Sequence, residues 1–319
     1  MPRLLFMGTA PLAAVSLRAL ARDPSLQVVG VITQPDRPQG RKLQLKPSAV
    51  KEAALELGFP VLQPEKVRTE ESLAAIRALA PELIVVVAYG QILPKSLLEI
   101  PRHGCLNVHT SLLPRHRGAA PIQWAILDGD SETGITLMLM DPGLDTGPVL
   151  TQVRTPIAPS DTAESLHDRL ATLGAELLLE TLPQWVAGAI TPQPQPADGA
   201  TYARKIERQD GLLDWSLPSV RLWNRVRGLV PWPGAFLSRA LPGVPPAVLK
   251  VWEARPEVGT TGGTPGEVLS ADPTGIVVRC GEGSLRLLVL QREGGKRLPA
   301  REFLAGCPIT PGERWGNGD

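Results

Sequence analysis

Cysteine is scarce in this chain. The three that occur, Cys105, Cys280 and Cys307, are too few and too scattered for a disulfide framework or a zinc site. They read as reduced thiols of a cytosolic protein. No run of about 18 uninterrupted apolar residues occurs, so no membrane span is expected. Net charge is +1, so no global field recruits a polyanion, and any such contact must come from a local patch. The opening segment imitates an export signal, but Gly8-Thr9-Ala10-Pro11 interrupts its apolar run where the period changes from strand to helix. The glycine pattern of a dinucleotide site is missing there. The turn reads GTAPLA, so Gly8 marks a tight strand–helix turn and NAD is excluded. The histidines form no metal set: His103, His109 and His116 are spaced by 6 and 7, which fits neither one helical face nor the usual zinc pairs. No repeat at a solenoid period is visible.

Apolar β-rich runs alternate with helical patterns up to about residue 190. The spacing predicts strands at Arg3–Met7, Val28–Thr33, Leu83–Ala88, Cys105–His109, Ile135–Met140 and Val149–Val153. Helices are predicted at Leu12–Ala21, Ser48–Leu57, Ser72–Ala80 and Thr162–Gly188, the last broken near Pro183. Such alternation implies a doubly wound, mostly parallel α/β sheet over residues 1–189. Residues 190–206 carry prolines at alternate positions and read as an extended linker. From 207 to 319, short segments separated by Gly and Pro (Leu212–Trp215 the first of them) suggest a small β-barrel, with one helix at Ser219–Gly228.

Chemistry concentrates between Cys105 and Leu150. The run CLNVHTS alternates, which places Asn107 and His109 on one face of a short strand. Asp145 sits in GLDTG, where two glycines permit a sharp turn that can return a carboxylate to the imidazole. Any one of these residues alone is usually a turn former or a satisfied polar group. Together they can polarise a carbonyl, stabilise an oxyanion and move a proton. Ser111 lacks the strand–elbow–helix setting of a hydrolase nucleophile. After the second strand, Gln34–Lys51 holds Arg37, Arg41, Lys42, Lys46 and Lys51 against Asp36. A generic loop of this kind is a solvated face, but its place on the ligand side of the sheet favours phosphate contact. Residues 207–319 add Arg221, Arg225 and Arg227 around the helix and Arg292, Lys296, Arg297 and Arg301 near the end. Trp215, Trp223, Trp232 and Trp252 read as barrel core rather than base-stacking platforms.

Asn-x-His, then SLLPRHRGAAPI, then GLDTG resembles the folate-dependent formyltransferases. The likeness extends through LLFMGTAPLAA, TQPDRPQGR, VVVAYGQILP, DWS and PWPGAF, nearly the whole chain. It implies a Rossmann-like catalytic domain followed by an oligonucleotide-binding-type (OB-like) barrel that contacts tRNA. It also implies transfer of the formyl group of 10-formyltetrahydrofolate to methionine esterified to initiator tRNA, by a monomer, without a metal. By the same resemblance Asn107, His109 and Asp145 are catalytic. Tyr89, Gly90, Gln91, Ile92 and Leu93 belong to the pterin pocket, and Ser111, Leu112, Leu113 and Pro114 to the wall that holds the folate. Arg37, Arg41, Lys42 and Lys46 belong to a loop that enters the acceptor stem, Arg41 foremost. Relatives acting on glycinamide ribonucleotide or amino sugars, or hydrolysing the folate, would share the trio. A non-enzymatic RNA-binding protein would have no use for it.

Overall fold

The strand Leu83–Val87 is buried at all five positions, as a strand covered on both faces must be. It lies at the centre of the main sheet in the computed structural model, which describes residues 1–39, 44–241, 244–257, 259 and 262–316. The chain begins with β1 (Arg3–Gly8), α1 (Pro11–Leu20) and β2 (Gln27–Ile32), followed by a small hairpin of β3 (Arg37–Gln39) and β4 (Gln44–Lys46). Next come α2 (Ala49–Glu56), β5 (Val61–Leu62), α3 (Glu70–Ala78), β6 (Leu83–Val87), α4 (Lys95–Leu98) and β7 (Cys105–His109). Then follow β8 (Arg117–Gly118), α5 (Pro121–Asp128), β9 (Glu132–Leu139), β10 (Val149–Pro156), α6 (Ala163–Val186) and β11 (Tyr202–Ala203).

The sheet order is β10-β9-β7-β6-β1-β2-β5. Strands β7, β6, β1, β2 and β5 run parallel; β9 is antiparallel to β7, and β10 to β9. The chain winds outward from β1 in one direction and then, from β6, in the other, so the reversal lies between β1 and β6. There the Thr9 hydroxyl donates to the Tyr89 carbonyl at 2.8 Å, joining the loops that follow these two strands. Gly8 closes the first turn. A Cβ at this position would come within 2.7 Å of the Ala13 side chain and 2.9 Å of the Val87 carbonyl. Helices α2 and α3 start where Ser48 and Thr69 accept from the amides of Lys51 and Ser72. Helix α6 is not broken at Pro183, which lies near its end and removes a main-chain bond without stopping it.

The described chain forms two compact units. One comprises Met1–Pro121, Glu132–Pro156 and His167–Ala203; the other comprises Ile122–Ser131, Ile157–Leu166 and Arg204–Asp319. The segment between residues 190 and 203 is stitched to the first unit rather than loose. Gln193 bridges Val149, and β11 pairs in parallel with β8.

The second unit contains the 3-10 turn Arg208–Gly211, α7 (Ser219–Gly228), β12 (Ala235–Leu241), β13 (Val244–Glu257), β14 (Val268–Asp272), β15 (Gly275–Arg279), β16 (Ser284–Arg292), β17 (Leu298–Pro299) and α8 (Ala300–Gly306). Its sheet runs β12-β13-β16-β15-β14, antiparallel throughout, with β17 beside β16. The two edges are joined by residues 312–316. Arg314 bridges Glu267 beside β14, and Gly316 bridges Ser238 of β12, which gives the sheet a barrel-like closure. Arg239 holds the same segment through Glu313, by bonds of 2.9 and 2.8 Å. Burial pushes the Glu313 carboxyl up, but the bonds from Arg239, the Thr310 amide and Trp315, together with the Arg239 charge, outweigh it and hold the group below its ordinary range. Trp215 and Trp315 pack in the core with centroids 6.3 Å apart. Leu212–Trp215 is not a strand: Leu212 makes a single bridge to Phe236.

Candidate active site

Strand β7 carries Asn107 and His109 on one face, both beside β9, whose Met138 and Thr136 are their partners. Asp145 reaches this face from the loop 141–147. Its backbone is left-handed (φ +52°), a conformation Asp tolerates better than most residues. The loop folds tightly onto β9: a Cβ on Gly147 would lie 1.8 Å from the Leu139 carbonyl. The structure thus brings Asn107, His109 and Asp145 together. Asn107 Nδ2 lies 3.4 Å from Asp145 Oδ1, and His109 Nδ1 lies 3.8 Å from Asp145 Oδ2.

The short contacts are elsewhere. The Gly118 amide donates to Asp145 Oδ2 at 2.8 Å and fixes the carboxylate. His109 Nε2 lies 2.9 Å from the carbonyl oxygen of His116. A carbonyl only accepts, so Nε2 carries a proton and Nδ1 is the nitrogen turned to the carboxylate. His109 is buried, with 6% of its surface exposed, and Asp145 keeps a 14% opening.

Sequence reasoning overlooks Gln195. Its Nε2 donates to the carbonyls of Asp145 at 2.8 Å and Gly147 at 2.9 Å, while its Oε1 accepts two bonds from Arg117. The signal is present in the alternation of proline with glutamine in TPQPQP, which turns Gln193 and Gln195 to one side of an extended chain. Gly118 is overlooked too. Its φ of +115° and the Ala203 carbonyl 2.8 Å from a would-be Cβ both demand glycine.

Ser111 is fully buried, and its hydroxyl donates to the Arg115 carbonyl at 2.6 Å, closing its own turn. Thr136 and Gln152 hold the main chain of Ser111 and Leu113. Leu113 is buried, whereas Leu112 and Pro114 are half-buried. In the loop after β6, the Tyr89 and Leu93 side chains enter the core, and burial pushes the Tyr89 phenol up to about 12. Gly90 turns with φ +88°. Gln91 bonds Val67, Pro64 and Glu65 of the main chain. Ile92 is 86% exposed, and Leu144 beside Asp145 is 57% exposed. A cavity of about 450 Å³ opens elsewhere, at the ends of β2 and β5, lined by Ile32, Leu62, Pro64, Thr69 and Ile76; none of the trio lines it.

The basic insertion is rooted by an acid. Lys51 and Gln63 donate to the Asp36 carboxylate at 2.7 and 2.8 Å; the Lys51 bond first, then that of Gln63, holds this carboxyl below its ordinary value. Arg37 lies 3.4 Å from Glu65 and Lys46 is exposed; Arg41 and Lys42 lie outside the described residues. In the second unit Arg225 and Arg227 serve the fold. Arg225 donates to the Asp210 carbonyl, and Arg227 lies over Trp223 and donates to the Ala158 and Asp161 carbonyls. Among the described residues no helix is long and apolar enough to cross a membrane.

Residues 3–182 match the family Formyl transferase, and residues 205–308 match Formyl transferase, C-terminal domain. The chain belongs to the formyl transferase family. Curated relatives resemble it from end to end. It is 52% identical over 310 residues to a methionyl-tRNA formyltransferase of Trichlorobacter lovleyi, covering 97% of this chain and 96% of the relative. Identity is 51% over 313 residues to that of Myxococcus xanthus, with 98% and 97% covered. Solved structures share the fold at low identity. WlaRD, a sugar 3N-formyltransferase determined in the presence of dTDP and 5-N-formyl-THF, superposes with a TM-score of 0.65 at 16% identity, covering 92% of this chain and 98% of that one. HypX from Aquifex aeolicus, in complex with tetrahydrofolic acid, gives 0.59 at 20% identity; 95% of this chain is covered and 47% of that longer one.

Proposed function

We propose that this family member transfers the formyl group of 10-formyltetrahydrofolate to the α-amino group of methionine esterified to initiator tRNA, as a cytoplasmic monomer. One observation carries the choice of acceptor. The likeness to methionyl-tRNA formyltransferases spans 97% of the chain at 52% identity, so it includes the second unit as well as the first. The exposed apolar side chains of Ile92 and Leu144 fit a flat, partly apolar ring system beside the trio. Main-chain groups of Tyr89–Leu93 and Ser111–Pro114 would read its polar edge. The folate supplies a formyl carbon already attached to a nitrogen that can leave.

In this reading the methionine amine forms the new C–N bond and the old one breaks. One proton passes from the attacking to the departing nitrogen. The Asn107 amide and doubly protonated His109 hold the formyl oxygen as negative charge builds on it. Their long contacts to Asp145, 3.4 and 3.8 Å, leave both donors able to turn to that oxygen. Asp145, aimed by Gly118 and its loop held by Gln195, orients the imidazolium and takes the amine's proton directly or through one water. The basic residues Arg37, Arg41, Lys42 and Lys46 of the insertion after β2 contact the acceptor stem.

The deciding experiment is a formylation assay with 10-formyltetrahydrofolate and charged initiator tRNA, run beside glycinamide ribonucleotide and an amino sugar. Transfer to the tRNA alone is expected. Turnover on a small amine instead would overturn the assignment of acceptor, and folate-independent RNA binding without turnover would overturn the enzyme.

A further inference from the structure

Trp232 departs from the other tryptophans of the second unit. Trp215 is in the core and Trp223 and Trp252 are half-buried, but Trp232 is 57% exposed. It stands between Pro231 and Pro233, whose rings fix their own φ angles, so a large apolar ring is held in water on a chain with little freedom. The turn rests on a cationic aromatic surface. Lys250 donates to the Pro233 carbonyl at 3.2 Å and lies 5.5 Å from the centre of the Trp252 ring. The Arg297 guanidinium lies 3.4 Å from that ring, whose indole nitrogen is held by Gln291. A Cβ on Gly234 would be 3.4 Å from Trp252 and 3.7 Å from the Lys250 ammonium, so the turn and this pair are in contact. Lys296 and Arg297 are exposed, and among the described residues no ion pair joins Lys250, Lys296 or Arg297 to a carboxylate.

An exposed ring alone says little about its partner. A rigid exposed indole on a turn that rests against Lys250 and the Arg297-covered Trp252 ring is complementary to a ligand with flat apolar faces on an anionic chain, which is an unpaired stretch of nucleic acid. We propose that Trp232 is a stacking platform for an unpaired nucleotide of the substrate RNA, with Lys250 and Arg297 taking the adjoining phosphates; the identity of that RNA rests on the function proposed above. A base inside a duplex hides its face, so this surface selects a single-stranded segment.

The test uses the full chain and two labelled probes: a hexamer of cytidines and a blunt 12-base-pair RNA duplex, each titrated at several salt concentrations. Trp232→Ala is expected to weaken the hexamer about 5- to 100-fold and leave the duplex unchanged. Trp232→Tyr should restore most of the affinity, because it restores a ring. The double variant Lys250→Ala, Arg297→Ala should flatten the hexamer's salt dependence by about 1.4 units of slope. Hexamer affinity unchanged in Trp232→Ala, or hexamer and duplex weakened equally, would overturn the platform. Because neither probe is a formyl acceptor, failure of the formylation assay would leave this result standing, and the reverse also holds.

Discussion

The amide of Gly118 and the carboxylate of Asp145 meet at 2.8 Å, closer than that carboxylate lies to either Asn107 or His109. The amide points there because Gly118 takes a conformation open to glycine and lies against the Ala203 carbonyl. Gly118→Ala should therefore separate β8 from β11 and release the carboxylate. We expect kcat to fall by about 10-fold or more while folate affinity is retained, and a destabilisation of about 1–3 kcal/mol. Steady-state kinetics and denaturant unfolding check both.

His109→Ala should remove most turnover, about 100- to 10,000-fold, with folate and tRNA affinities nearly intact. Asn107→Ala should cost about 100-fold or more, because one donor to the oxyanion is gone. Single-turnover rates measured at saturating tRNA are the readout, and near-parental rates in either variant would remove the oxyanion role.

Gln195→Ala removes both bonds that hold the loop of Asp145 and Gly147. Its effect should appear in kcat rather than in KM for either substrate, at about 10-fold. Gln195→Glu keeps the shape without the donors, so it should resemble Ala. A full-activity Glu variant would mean that the amide does not position the loop.

Arg41→Ala and Lys46→Ala should weaken use of tRNA and leave folate binding unchanged. For every phosphate that such a variant no longer neutralises, the salt dependence of tRNA binding should flatten by about one unit of slope. Measuring initiator and elongator tRNAs together separates a phosphate contact from a base contact, since only removal of the latter relaxes discrimination.

Burial pushes the Cys105 and Cys280 thiols up to about 12, whereas Cys307 is half-buried beside Arg239. The reactive form is the thiolate, so at a pH of about 8.5 alkylation of the native chain should label Cys307 alone. Peptide mapping after brief iodoacetamide treatment gives the answer; rapid labelling of Cys105 or Cys280 would contradict the packing.

The sheet is legible in the sequence because burial on both faces leaves continuous apolar runs such as Leu83–Val87, and because Asn107 and His109 fall on a strand with period two. Elements of two or three residues are not legible. Strands β3, β4, β5, β8 and β11 have no periodicity of their own and exist through their partners. The pairing of Gly118 with Ala203 joins residues far apart in the chain, and that pairing sets the amide that aims Asp145. Charge also misleads in one dimension: Arg225 and Arg227 read as a basic face, yet their guanidinium groups are consumed by carbonyls of the same unit. Trp232 reads as core from composition, and only the fold reveals its exposure.

Connections are ordinarily where a family tolerates insertions, because few contacts fix their length. The stretch from Gln193 to Ala203 breaks that expectation. It is fastened at Val149, at the Asp145 loop, at Arg117 and at Gly118. A single residue added between Gln193 and Gln195 would turn the amide away from the loop, and one added between Thr201 and Ala203 would shift the pairing that presents the Gly118 amide. Length is therefore free to drift only in the short span 196–200, and a fusion or protease site engineered into this connection should be placed there.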